Sequence, residues 1–379
     1  MEREFSRKAT NIVKGMAILF LLNYHLFSEE AAVAGFQVDY RPFPQELFLM
    51  FSRFGNISVT VFVFLTAFGI TKGLLGQEGI EPRDMYRQAG RRMLRLMVNF
   101  FALFASVTLL WQHWFDFTSL YGEGKQGFLY MLADAAGFAQ ILDTPTLNMT
   151  WWYMEIAYVL IFLIPLFCIL VQKVGYFLLP IVFFLPVVLD FNPDIARYLF
   201  TAAVGVCAAY GNWMDRLLNQ GESFIPGILL RGKRSKSEMD DAGQPGEGKL
   251  MRMICLLLRW AAGAAGLLLC VMVRQNYFVQ GHFLYLADAG IAVFFAWFSL
   301  ALFGSVPVIK RILEFIGRHS MNIYMVHTFF YLILWRSYIY AFRYWGAILA
   351  ALLLASLVWS VVLEWVKKIV LGLVRRKKM

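Results

Sequence analysis

Ten apolar runs, most of them near twenty residues long, fill most of this 379-residue chain. They lie at 10–27, 54–74, 94–112, 151–171, 176–190, 196–212, 254–273, 283–304, 320–340 and 345–368. Runs of that length with few charges read as transmembrane helices. Within lipid every backbone polar group must find its partner inside the protein, so spanning segments are helices or closed barrels. The short alternating strands of a barrel are absent from the sequence. The expected fold is an all-α membrane protein, a polytopic bundle of about ten transmembrane helices, over 1–379 as a single domain.

The Lys and Arg residues sort by loop. With the N-terminus in the cytoplasm, Arg83, Arg87, Arg91, Arg92 and Arg95, then Lys310, Arg311 and Arg318, then the C-terminal Arg375 to Lys378, all fall inside. This is the positive-inside pattern, and it places both termini in the cytoplasm. It also accounts for the net charge of +10 without nucleic acid as a partner. The short segment 128–142 carries Asp134 and reads as a re-entrant or interfacial helix, because a further span there would put the later basic loops outside. The polar stretch 219–250 reads as a flexible cytoplasmic loop.

Arg3, Arg7 and Lys8 ahead of the first run, with Ala32-Val33-Ala34 after it, resemble a signal peptide. Asn23, Tyr24 and His25 interrupt that run and favour a retained helix. The four cysteines lie within or beside apolar runs, without metal-type spacing, and read as free thiols.

Against this background the polar residues inside the runs stand out, since ionisable groups at membrane depth are costly. Lys14 and His25 are eleven residues apart in the first run. At about 100° per residue they return to within roughly 20° of one face, about 16 Å apart along the axis. Imidazole near neutral pH can take a proton from a hydroxyl and return it to a leaving group. Two bland readings stay open: His25 as a packing residue, and Lys14 snorkelling to the inner interface. Arg91, Arg92 and Arg95 cluster at the inner end of the third run, where guanidinium forks suit phosphates and equally suit anionic lipid. Glu155 sits about a turn below the Trp151-Trp152 pair, as a partnered acid or a simple interfacial one. Ser320, Tyr324, His327 and Tyr331 recur at spacings of 4, 3 and 4, which makes one helix face. That stripe is a candidate site wall or an interhelical seam. There is no Ser–His–Asp pattern, no glycine-rich phosphate loop and no metal-ligand cluster.

Taken in order, these stretches resemble the acyltransferase-3 family of integral membrane acyltransferases. Lys14 and His25 keep the spacing of that family's opening basic residue and histidine. FVFLTAFGI at 62–70 is similar to its aromatic-rich second helix, and Arg91, Arg92 and Arg95 to its cytoplasmic arginine motif. Thr150–Tyr153 resembles its tryptophan motif, and IGRHSMNIYMVH at 316–327 its late Gly, Ser, Tyr and His segment. The resemblance runs from about residue 7 to 370. This chain departs from the pattern at Asn11, Lys14 and Thr66-Ala67, where the family carries an acid, an arginine and Ser-Gly.

The resemblance implies an O-acyltransferase in the inner membrane. It would move an acyl group, usually acetyl, from acetyl-CoA or another acyl-CoA on the cytoplasmic side to a hydroxyl of a cell-envelope carbohydrate or related acceptor. His25 would be base or transient acyl carrier, Lys14 an oxyanion donor, and Glu155, Tyr324 and His327 orienting groups. Arg91, Arg92 and Arg95 would hold the coenzyme's phosphates. The alternatives are a transporter or flippase using the same polar path, and a structural or sensory subunit. The sequence leaves the oligomeric state open, a homo-oligomer included.

Overall fold

A computed structural model describes residues 5–28, 33–189, 193–219, 247–304 and 306–376. Of the loop expected at 219–250, residues 220–246 lie outside the described residues. In chain order the helices are α1 (Arg7–Phe27), α2 (Gln45–Phe54), α3 (Ser58–Leu75), α4 (Pro82–Leu110), α5 (Phe117–Tyr121), α6 (Gly124–Ala136), α7 (Trp152–Val174) and α8 (Leu178–Val188). They continue with α9 (Pro193–Tyr210), α10 (Glu247–Gln275), α11 (Tyr277–His282), α12 (Leu284–Phe303), α13 (Pro307–Thr328), α14 (Arg336–Tyr340) and α15 (Trp345–Arg376). A π turn, Phe329–Leu334, follows α13. Among the described residues no strand forms, and the sole bridge joins Asp39 to Tyr344. The all-α fold and membrane character read from the sequence are thus present.

Among the described residues six segments are long and apolar enough to cross a membrane: Gln45–Leu75, Pro82–Leu110, Met149–Pro186, Leu256–Gln275, Leu284–Phe303 and Trp345–Ile369. The ten runs of the sequence resolve differently for identifiable reasons. The runs at 151–171 and 176–190 form one apolar stretch interrupted by a short turn at Gly175–Phe177. Ala196–Tyr210 is shorter than a full span. Helix α1 is diluted by Asn11, Lys14, Asn23 and His25, and α13 begins in the basic stretch holding Lys310, Arg311 and Arg318. The short α6, where 128–142 was in question, is not among the six.

The described residues group into two compact units. The first comprises Met1–Lys14, Thr60–Gly76 and Leu170–Phe315. Within it α12 packs against α9 and α10, and α9 against α8. Ala287, Ala289, Ala292 and Ala296 on α12 are buried, as are Ala202 and Ala203 on α9, which is the small-residue packing expected of helices in lipid. On α10 the leucines Leu257, Leu258, Leu268 and Leu269 are exposed, as suits a helix that meets acyl chains.

The second unit comprises Gly15–Val59, Gln77–Ile169 and Ile316–Met379. Its segment 116–151 is organised by a buried carboxylate. Asp134 Oδ2 accepts hydrogen bonds from the Tyr121 hydroxyl at 2.6 Å and the Leu147 amide at 2.6 Å, and Oδ1 accepts one from Thr146 at 2.9 Å. Gly137 ends α6 at φ +78°, and a Cβ there would stand 3.0 Å from the Tyr158 hydroxyl. Backbone conformation and space both require glycine at that position. In the same unit the main chain of Gly55 approaches α1 closely. A Cβ on Gly55 would fall 2.2 Å from the Phe20 carbonyl oxygen and 2.7 Å from Tyr24 Cβ.

Gly55→Ala is therefore expected to lower stability by about 1–3 kcal/mol, the usual range for forcing an extra group into packed structure. It should appear as a lower thermal midpoint of the purified protein in detergent, and an unchanged midpoint would refute the contact. Burial pushes the Asp134 carboxyl above the usual carboxylate range, while its hydrogen bonds from Tyr121, Leu147 and Thr146 pull the other way. A raised value in the folded state means stability that is fully present below the ordinary carboxylate value, about pH 4, and lost as pH rises through the raised one. Protection of the amides of residues 117–148, taken as exchange relative to the intrinsic rate at each pH, should fall over that rise, and Asp134→Asn should flatten the profile. A wild-type profile that is already flat would contradict the assignment.

Candidate functional site

The second unit brings two histidines together. His25 occupies the last turn of α1 and His327 the last turn of α13. Their ring centroids are 4.9 Å apart, with the planes at 49°. Tyr331, within the π turn, lies 6.4 Å from His25 and 6.1 Å from His327. The Tyr324 ring is 6.0 Å from His327. The inward stripe of the late helix thus faces the histidine of the first.

His327 is fully buried. Its Nδ1 lies 2.7 Å from the Tyr324 carbonyl oxygen. A carbonyl only accepts, so Nδ1 carries the hydrogen and donates it. In the neutral ring Nε2 is then an unprotonated acceptor, and it has no hydrogen-bond partner among the described residues. His25 is half-buried and makes no hydrogen bond to the described residues. The arrangement is a buried ring nitrogen, unpartnered among the described residues, beside a second imidazole.

The surrounding polar groups fix the backbone of this site. Trp151 Nε1 donates to the Met325 carbonyl at 2.9 Å. Asn148 Nδ2 donates to Thr328 Oγ1 at 2.5 Å, and the Tyr324 hydroxyl to the Thr150 carbonyl. The Trp151 ring packs on Phe100, Phe104 and Phe329. The tryptophan motif therefore anchors 148–151 onto the histidine-bearing helix. On the other side, Asn23 Nδ2 donates to Ser52 Oγ at 2.8 Å, and the Tyr340 hydroxyl meets the Leu26 carbonyl at 2.9 Å. The orphan carbonyls at the end of α1 are in this way partly satisfied.

Other candidates lie elsewhere. Glu155 is buried, and its Oε1 accepts the Gln140 amide at 2.6 Å. It braces the connection after α6, and no contact joins it to either histidine among the described residues. Lys14 is half-buried in the part of α1 that belongs to the first unit. Its ammonium has no ion pair among the described residues. Arg91 and Arg95 are exposed on α4, with Arg95 Nε donating to the Arg91 carbonyl, and Arg92 is half-buried.

One turn beyond Arg95, on the face it shares with Arg92, stands Asn99. Its Nδ2 donates to Asn322 Oδ1 at 3.0 Å, and it accepts from Lys367. Asn322 Nδ2 donates to Glu364 Oε1 and to Ser360 Oγ, both at 3.0 Å. His319 lies 2.8 Å from the same Ser360 hydroxyl. This polar network reaches α13 five residues before His327, about 7.5 Å along the helix. The sequence reading missed it, although Glu364 and Lys367 inside the last apolar run were the available signal.

The family profile described as an acyltransferase domain, the acyltransferase-3 group, matches residues 7–365. No curated protein and no solved structure matches the chain. The matched region contains both histidines, the arginine cluster and the tryptophan segment, and on that span the chain belongs to the acyltransferase-3 family of integral membrane acyltransferases.

Proposed function

We propose that this protein moves an acyl group, most simply acetyl, from acyl-CoA at the cytoplasmic face of the inner membrane to a hydroxyl of a cell-envelope carbohydrate. Family membership supports acyl transfer, and one observation carries the mechanism: His327 Nδ1 is committed to the Tyr324 carbonyl, which leaves Nε2 bare and buried beside His25. In this reading His327 Nε2 receives the N–H of His25 and so sets the tautomer of the reacting ring. The rings meet without that hydrogen bond here, and such bonds commonly tighten only with substrate in place.

The remaining nitrogen of His25 then takes the proton of the acceptor hydroxyl as its oxygen attacks the thioester carbonyl. The carbon–sulfur bond breaks, and the imidazolium returns the proton to the departing thiolate. Lys14, in place of an arginine, would supply positive charge near the thioester oxygen as a single donor rather than a fork. Arg92 and Arg95 would hold the coenzyme's phosphates. The network from Asn99 to Asn322 would line the route from the arginines toward the histidine pair. With both termini cytoplasmic, the acceptor arrives from the opposite side.

His25→Ala should reduce acyl transfer by at least about 10²-fold, the low end of general-base catalysis, with an unchanged elution profile and thermal midpoint. Full activity in that variant would end the mechanism. Coenzyme A should raise the thermal midpoint of the purified protein, corresponding to about 2.7 kcal/mol at a hundredfold excess over its dissociation constant. Arg92→Ala and Arg95→Ala should each diminish that shift, and equal shifts in all three proteins would remove the arginines from the donor site.

A further inference from the structure

The first unit contains a buried charge cluster that the histidine chemistry does not use. Asp288 on α12 is fully buried. Its Oδ2 pairs with Arg197 of α9, and its Oδ1 accepts from Arg274 Nε of α10 at 2.7 Å. The arginine side chains keep 12% and 20% of their surface, so they are sequestered yet reachable. Arg197 also places Nη2 3.4 Å from the Thr60 hydroxyl. Among the described residues no second carboxylate pairs with either arginine.

Among the described residues, two guanidinium groups against one carboxylate leave a single positive charge in excess where solvent is scarce. Such a charge is expensive to hold without a partner. A second observation points the same way. Tyr285, one turn before Asp288 on the same face of α12, is buried with its hydroxyl unpartnered among the described residues. Its ring packs 5.5 Å from Phe200, which stands one turn after Arg197 on α9. The unspent hydroxyl and the surplus charge thus share the α9–α12 contact.

We propose that Arg197, Arg274 and Tyr285 form a binding site for a phosphate group, with Asp288 as the internal counter-ion that holds the two guanidiniums in place. Guanidinium forks match the spaced oxygens of phosphate, and the tyrosine hydroxyl supplies a neutral donor. The phosphate can belong to the headgroup of an anionic lipid or to a freely diffusing molecule. The histidine pair lies wholly in the other unit.

The test uses the full-length purified protein in two arms. In one, thermal midpoints are compared in nanodiscs of phosphatidylglycerol and of phosphatidylcholine. In the other, inorganic phosphate is titrated into protein held in a neutral detergent. The wild-type midpoint should rise in the lipid arm alone for a headgroup site, or with inorganic phosphate for a free anion. Arg274→Gln should weaken the half-saturating concentration about tenfold, or at least halve the lipid-dependent rise. No rise in either arm, or an equal rise in Arg274→Gln, would overturn the site. If that variant does not fold, Tyr285→Phe, which removes one hydroxyl, is read in its place. A reduced response then supports the site and an unchanged one overturns it.

Discussion

A single backbone carbonyl fixes the tautomer of the buried histidine on which the proposed chemistry rests. The oxygen of Tyr324 holds the proton of His327 on Nδ1 and thereby decides which nitrogen of a fully buried ring is left bare. In water either tautomer would be available. In a buried helix interior the choice is made by whichever acceptor stands nearest, and here it stands one turn back on the same helix. The other parts of the site serve to keep that carbonyl and the opposing His25 in register. Trp151, Asn148 and Tyr324 tie the preceding loop to α13, while Ser52 and Tyr340 hold the end of α1.

The same economy recurs through the second unit: several polar groups inside its helices are held by a named partner. Asn23 has Ser52, Asp134 has three donors, Glu155 has the Gln140 amide, and Asn322 sits at the centre of a network on three helices. Against that pattern, the unmatched Nε2 of His327 and the two-to-one charge ratio around Asp288 stand out. Unsatisfied groups in a dielectric this low are where ligands and reactions gain most, because each new contact removes a large desolvation cost.

Much of this was legible in the sequence. Apolar run length announced a helical membrane protein, and the 4, 3, 4 stripe placed Tyr324, His327 and Tyr331 on one face before any coordinates. What sequence periodicity lacks is the partner. Glu155 reads from its depth as a partnered or an interfacial acid, and its partner, an amide fifteen residues earlier, is not visible in the sequence. Asn99, Asn322 and Glu364 each look incidental alone and become a network only when three helices meet. The number of spans was legible only in part. Hydropathy does not tell a single interrupted stretch such as Met149–Pro186 from two crossings, and a helix that carries polar residues on one face, as α1 does, dilutes its own signal.

The π turn at Phe329–Leu334 has a mechanical consequence. Its wider ring, visible in the bond from the Trp335 amide to the Phe330 carbonyl, disturbs the regular ladder just past His327. Beside it the Met325 carbonyl is met from outside, by the Trp151 indole. The strap at 148–151 is consequently fastened to the main chain next to the buried His327, and not merely laid over it. A displacement of that strap would therefore be passed to the main chain that carries the Tyr324 carbonyl, so the position of segment 148–151 and the tautomer of His327 are linked through a few covalent bonds of one helix.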